Sequence, residues 1–201
     1  KAKAAEPMSP DALKSTFQTA TDRSLNDNRK RLEAFDELMQ QGPAAGDVLA
    51  PDVAAMLEKD ASEQLIALAG SFGPKGAPCV APLTAMIKQG TSYGPKAVEA
   101  LGQIGTPARP AVVKINQTYI ANWNQVDFNA ILAVTRIGGD DAKAVAQNLI
   151  TQTKDPVKVA VGKWSLATID PADPNVAEYR AAALAAIPAF LTKPPRGNYG
   201  T

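Results

Sequence analysis

The sequence has no histidine and a single cysteine, Cys79, among its 201 residues. Histidine is the commonest general base near neutral pH and the commonest metal ligand, so its absence excludes the usual catalytic pairings of serine or cysteine with histidine. One cysteine can form neither an intramolecular disulfide nor a thiolate metal cluster. We therefore predict no catalytic, metal-binding or cofactor-binding residue. Cys79 is interpreted as a small buried hydrophobic residue, and a reactive thiol at the start of a helix is the alternative.

An excess of one charge and a long apolar run are also missing. Lys and Arg total 21 and Asp and Glu total 20, which gives a net charge of +1. A nucleic-acid-binding domain usually has a clear basic excess, so no nucleic acid is expected as a partner. No stretch reaches the roughly 18 consecutive apolar residues that suggest a membrane-spanning helix. Aromatic residues make up only 5% of a chain that is 45% apolar, which predicts a thin, layered core between closely packed helices.

What the sequence does contain is a pattern that recurs along the chain. An apolar residue followed by glycine ends a helical run at Phe72-Gly73, Ile104-Gly105 and Ile137-Gly138, and looser versions occur at Gln41-Gly42 and Ile169-Asp170. The closing positions 42, 73, 105, 138 and 170 are separated by 31, 32, 33 and 32 residues. A fixed period of this size indicates an array of repeats, each too small to bury its own apolar face.

Aligned on these closing positions, the five units share columns of apolar residues. The column four residues before the closing position contains Leu38, Ala69, Leu101, Val134 and Leu166, and the column seven after it contains Leu49, Val80, Val112 and Val145. The fifth unit has Lys163 in an otherwise apolar column, which is a departure from the pattern. In the column seven after the closing position it has Ala177, beside Val176. Apolar residues at i and i+4 on both helices of a unit predict an all-α fold with one continuous core.

The same alignment divides the chain into three parts. Residues 1–25 form an N-terminal segment, in which residues 1–8 are expected to be loose and a helix from Pro10 to Asp22 covers the open end of the array. Residues 26–191 form the repeat domain. Residues 192–201, which include Pro194-Pro195, are predicted to be an extended or disordered tail because consecutive prolines cannot continue a helix.

The third unit carries a family resemblance. The segment AVEALGQIGTPARPAVVKI, residues 97–115, resembles the HEAT-like repeats of the armadillo/HEAT superfamily, particularly the short form in bilin-lyase-type proteins. The resemblance covers about residues 26–191. It implies a right-handed α-α superhelix (solenoid) of about five helix pairs plus an N-terminal helix, which binds other macromolecules. The family pattern concerns packing, so it assigns no catalytic residue.

Two groups of residues are candidates for binding. Polar residues between the apolar columns of the second helices are predicted to line the concave side that the resemblance implies: Thr84, Lys88, Lys114, Gln117, Lys143 and Gln147. An ordinary solvated helix face is the alternative for each of them. Trp123 follows a long helix, near Tyr119, and either anchors a partner or folds back over the third unit. Trp164 either packs beneath the final helix or contributes to binding.

These observations favour a non-enzymatic protein–protein interaction scaffold, an accessory subunit that holds a larger complex together. Its expected partner is another protein or protein complex. The alternatives are a bilin-lyase-like enzyme or chaperone and a nucleic-acid-binding helical-repeat protein. The sequence leaves the oligomeric state open. The chain begins KAKAAEP without an initiator methionine, which suggests an exported or periplasmic mature protein, whereas a trimmed chain of cytoplasmic location is the alternative.

Overall fold

The computed structural model describes residues 6–122 and 126–192, with side chains as far as residue 186. Within these ranges the chain is helical and contains no β-strand, which confirms the predicted all-α class. The α-helices are α1 (Pro10–Thr21), α2 (Asn28–Gln41), α3 (Pro43–Lys59), α4 (Glu63–Ser71), α5 (Val80–Ala85), α6 (Tyr93–Ile104), α7 (Val112–Ile115), α8 (Phe128–Ile137), α9 (Asp140–Thr151), α10 (Pro156–Ile169) and α11 (Val176–Thr192). None of the described helices is both long enough and apolar enough to cross a membrane.

Each repeat unit contributes a first and a second helix. The first helices are α2, α4, α6, α8 and α10, and the second helices include α3, α5, α7, α9 and α11. First helices of consecutive units lie side by side, as α4 does with α6 and α6 with α8. The packing of neighbouring helices therefore agrees with a repeat array, whereas the right-handed superhelix stays a prediction.

Local sequence sets where the first helices begin and end. Four of them start behind a side chain that accepts a hydrogen bond from a backbone N–H of the first turn, which stabilises an otherwise unpaired donor. These capping residues are Asp27, Ser62, Asp127 and Asp155. Gly42, Gly73, Gly105 and Gly138 have φ angles of 53°, 54°, 74° and 70°. This left-handed backbone favours glycine, and it explains why the residue recurs at the closing positions.

The second helices of the second and third units are less regular than the apolar periodicity predicts, and proline explains part of the difference. In the second unit a 3₁₀ segment, Gly73–Cys79, precedes α5, and α5 ends at Ala85. The third unit likewise has a 3₁₀ segment, Thr106–Ala111, before α7 and a π-helical turn, Asn116–Ile120, after it. Both 3₁₀ segments contain two prolines. Because proline has no N–H and its ring crowds the preceding turn, these two segments do not form regular α-helix.

The predicted core columns are buried. Leu38, Ala69 and Leu101 are fully inaccessible to solvent, and Val134 and Leu166 are 2% and 7% exposed. The second-helix column is also buried in the first four units. In the fifth unit the prediction is wrong, because Ala177 is exposed and Val176 is only half-buried at the start of α11.

The N-terminal segment is tied to the first unit. The Gln41 side chain bonds to the backbone of residues 6–8, part of the segment that was expected to be loose. Its Oε1 accepts a hydrogen bond from the Met8 N–H at 3.1 Å, and its Nε2 donates one to the Glu6 carbonyl at 3.1 Å. Beyond them, α1 buries Leu13 and Phe17 in the core. The predicted tail begins inside α11, and residues 193–201 lie outside the described residues.

Cys79 has the environment of a core residue. Its side chain is fully buried, and its Sγ lies 3.5 Å from the carbonyl oxygen of Ala50, to which the thiol donates. Burial raises the pKa of the thiol to about 12, because the apolar surroundings disfavour the thiolate. Cys79 is therefore the small hydrophobic residue that was predicted, and the reactive-thiol alternative is not supported.

Candidate binding surface

The binding residues predicted on α5 and just beyond it differ in their environments. Thr84 is half-buried, and its hydroxyl donates a hydrogen bond of 2.7 Å to the Val80 carbonyl. Lys88 is exposed but lies past the end of α5, so the expectation that it belongs to a helix face is wrong. Its backbone carbonyl accepts a hydrogen bond of 3.0 Å from the Tyr119 hydroxyl. The Lys88 side chain therefore projects from a connecting segment that a neighbouring unit holds in place.

The remaining candidates lie in three environments. Lys114 is half-buried in α7, whereas Gln117 in the π-helical turn and Gln147 in α9 are exposed. Trp123 lies outside the described residues. The structure thus places Lys114 and Gln147 on second helices of successive units, and whether any of these residues binds a partner stays a prediction.

Lys143 is already paired within the chain. Its Nζ lies 2.8 Å from Oδ2 of Asp170, the closing residue of the fifth unit. The hydrogen bond to Asp170, followed by the charge of that carboxylate, raises the pKa of Lys143 above its ordinary value. The hydrogen bond to Lys143 lowers the pKa of Asp170. A partner that binds Lys143 must therefore compete with Asp170.

From the ion pair between Lys143 and Asp170 we predict how the Asp170 carboxyl titrates. In the Lys143→Met variant, the Asp170 carboxyl should titrate at higher pH than in the unmodified chain, because its largest pKa-lowering interaction is gone. The depressed pKa stabilises the folded chain above the unfolded-state pKa of Asp170, and this stabilisation is lost as pH falls through the folded-state pKa. Carboxyl ¹³C NMR would measure the shift. Lys114→Met is the control, and an Asp170 pKa that is equal in both variants would show that the pair does not form in solution.

The structure contains a surface that the sequence analysis did not identify. We name it the first-helix furrow. It consists of two adjoining grooves on either side of α6. The groove between α4 and α6 has a volume of about 530 Å³ and an apolar floor that includes Ile66, Ala67 and Ala100. The groove between α6 and α8 has a volume of about 300 Å³ and is lined partly by Ala130 and Ala133. Small side chains leave this space open between helices that otherwise pack closely.

Glycine sets the distance between these helices. A Cβ atom placed on Gly102 would lie 2.8 Å from Cα of Ala133 on α8. One placed on Gly70 of α4 would lie 3.1 Å from Cα of Ala100 on α6. Both glycines stand three residues before the closing glycine of their unit, and this coincidence is the sequence signal that could have identified the contact. The first helices can therefore approach each other nearly backbone to backbone.

Charged groups of both signs surround the furrow. Lys96 and Glu99 line both grooves, and Lys96 forms an ion pair with Glu63 at the edge of the first groove. Asp127 and Arg136 line the second groove. Tyr119 also lines the second groove. The pKa of the Tyr119 hydroxyl is raised, first by burial and then by the negative charge of Asp127.

No group of three or more potential ligand residues that could hold a metal ion occurs in the described part of the chain. The fold and the furrow together define an all-α protein of packed neighbouring helices with an open, mixed-charge groove on its first helices. Comparisons with protein-family models, with curated proteins and with solved structures gave no match to this chain.

Proposed function

We propose that the chain is a non-enzymatic protein-binding module of the HEAT-like repeat type, an accessory subunit of a larger complex, and that the first-helix furrow is its main binding surface. The single observation that carries this proposal is that two adjoining grooves, which share Lys96 and Glu99, lie across the first helices of three consecutive units. An apolar floor with charged rims is the usual composition of a protein-recognition groove, in which apolar contacts supply affinity and polar groups fix orientation.

The charge distribution favours a protein partner over a nucleic acid. Several lysines of the described residues are paired with carboxylates, which reduces the positive potential that attracts phosphates. Lys75 pairs with Asp47, Lys96 with Glu63, Lys143 with Asp170 and Lys163 with Glu178. A strongly salt-dependent affinity for DNA would contradict this proposal, and co-purification of a pigment would favour the bilin-lyase-like alternative.

The shape of the furrow indicates how a partner would bind. Its two grooves flank α6, so a segment that crosses α6 could place an apolar side chain in each groove. Lys96 and Glu99 on the ridge between them offer one donor group and one acceptor group to that segment. We therefore expect a helical or extended segment of the partner to contact several units at once.

Substitution of Ala67 tests the furrow. Ala67 is exposed on the floor of the first groove, so Ala67→Arg should fill the groove without disturbing the core. We expect the affinity for a stoichiometric partner isolated from native extract to fall roughly tenfold or more. Binding would be measured by pull-down and by titration with the isolated partner.

The matched control separates the furrow from the second-helix residues. Ala85 is exposed on α5, beside Thr84, and Ala85→Arg should leave binding unchanged while helicity is preserved in both variants. Reversal of Lys88, Lys114 and Lys143 to glutamate examines the second-helix prediction in the same assay. If Ala67→Arg binds normally and the lysine reversals abolish binding, the partner occupies the second helices and the furrow is not its site.

A further inference from the structure

The two ends of the helix array have different outer surfaces. At the N-terminal end, α1 buries one face and exposes polar residues on the other: Asp11, Lys14, Ser15 and Gln18. At the C-terminal end, α11 packs on α10 and exposes a stripe of apolar residues: Ala177, Ala181, Leu184 and Ala185. Among the described residues, the outer face of α1 is polar, whereas α11 exposes these apolar residues beside Glu178 and Arg180.

An apolar cleft lies between α10 and α11 at this end. It has a volume of about 490 Å³, and its lining includes Val157, Val161 and Trp164 from α10. Leu184 on α11 also lines the cleft. Leu184 is 66% exposed to solvent, and Trp164 is 38% exposed. The expected packing of Trp164 beneath the final helix therefore leaves much of the ring open. A partner that covers these two side chains removes their remaining apolar surface from water and so gains affinity.

The charge of the cleft restricts what can cover it. Arg180 is the one charged residue among the described lining residues. The neighbouring Lys163 is already bonded to Glu178, with 3.0 Å between Nζ and Oε1. If the cleft of a second copy packed on this one, it would bring a second Arg180 to the interface, and the described lining residues include no carboxylate to oppose it. A partner with a carboxylate next to its apolar side chains complements the cleft in both respects.

We propose that the cleft between α10 and α11 binds an amphipathic helix of a partner protein, which inserts an apolar side chain between Trp164 and Leu184 and pairs a carboxylate with Arg180. Tryptophan and arginine are the residue types that most often dominate binding energy at protein interfaces. Helix-in-groove binding presents apolar residues at i, i+3, i+4 and i+7, which suits an open cleft between two helices. Among the described residues, the cleft and the first-helix furrow have no lining residue in common, so this proposal does not depend on the proposed function of the furrow.

The test uses the full chain and a defined probe. The probe is a fluorescein-labelled amphipathic helical peptide with leucines at i, i+3, i+4 and i+7 and one glutamate beside them, and a second peptide has lysine in place of that glutamate. We expect the glutamate peptide to bind, as measured by fluorescence anisotropy, and the lysine peptide to bind at least about tenfold more weakly. In Arg180→Glu this preference should reverse. Lys154→Glu, an exposed charge reversal outside the described cleft lining, is the control and should retain the original preference.

Four results would overturn the proposal. The first is that the glutamate peptide does not bind the unmodified chain. The second is that it binds but keeps its affinity in both Arg180→Glu and Leu184→Arg, which would place it elsewhere. The third is a concentration-dependent dimer in analytical ultracentrifugation that Leu184→Arg abolishes, which would assign the cleft to a second copy. The fourth is a full-length chain that binds the peptide only after residues 193–201 are replaced by glycine and serine, which would assign it to the chain's own tail.

Discussion

Leu101→Ala is expected to lower the free energy of unfolding by about 2–5 kcal/mol, because it removes buried methyl groups and leaves a cavity between stacked units. Leu101 is fully inaccessible to solvent on α6, the first helix of the central unit. Neighbouring first helices pack on both sides of α6, so the surrounding structure has little freedom to collapse into the cavity. Urea unfolding followed by far-UV circular dichroism would measure the change.

Leu184→Ala is the matched control for this substitution. It deletes the same atoms from a residue that is 66% exposed, and surface substitutions usually change stability by no more than about 0.5 kcal/mol. The difference between the two variants reports the burial of Leu101 without the change in helix propensity that both share. A loss below about 0.5 kcal/mol for Leu101→Ala would mean that the residue is not interior and that the packing of the central unit is incorrect.

Gly102→Ala should also destabilise the chain, by about 1–3 kcal/mol, because overpacking forces shifts in the surrounding structure. The added Cβ would lie 2.8 Å from Cα and 2.9 Å from Cβ of Ala133. The closest of these atoms belongs to the backbone, so a rotamer change cannot relieve the clash and α6 and α8 must separate. The same urea titration would measure the effect.

Whether Gly102→Ala lowers or raises the free energy of unfolding distinguishes a steric clash from an effect of helix propensity. Helix propensity alone predicts that alanine in place of a helical glycine stabilises the chain by up to about 1 kcal/mol. A loss of stability therefore requires the close approach of α6 to α8. Gln103→Ala, at the next and exposed position of α6, is the control for changes in propensity and should be nearly neutral. A gain in stability for Gly102→Ala would show that the two helices are further apart than described.

Much of the fold could be predicted because the pattern is local and repeated. Leu38, Leu101 and Val134 stand at the same offset from a closing position, and all three are buried. Averaging over several units compensates for ambiguity in any one of them. The prediction failed where a unit differs from the others, as at Ala177, or where proline alters the backbone, as in the segment before α5.

The candidate surfaces could not be predicted to the same extent. The first-helix furrow arises from a gap between helices whose residues are far apart in sequence, and its floor of Ala67 and Ala100 has the composition of an ordinary core face. The ion pair between Lys143 and Asp170 could not be predicted either. The two residues are 27 positions apart, and the sequence around each of them gives no sign that they pair. The same holds for Thr135 and Ser165, whose buried hydroxyl oxygens lie 2.9 Å apart between α8 and α10.

The sequence by itself determined the helical class, the period of the units and the residues that form their core. These properties depend on interactions within a unit and on the recurrence of apolar positions, and both can be inferred from the order of residues in the sequence. Only the tertiary structure decided how closely α4, α6 and α8 approach, where grooves remain between them and which charged side chains are paired. Those properties depend on distances between different units, which a one-dimensional pattern does not contain.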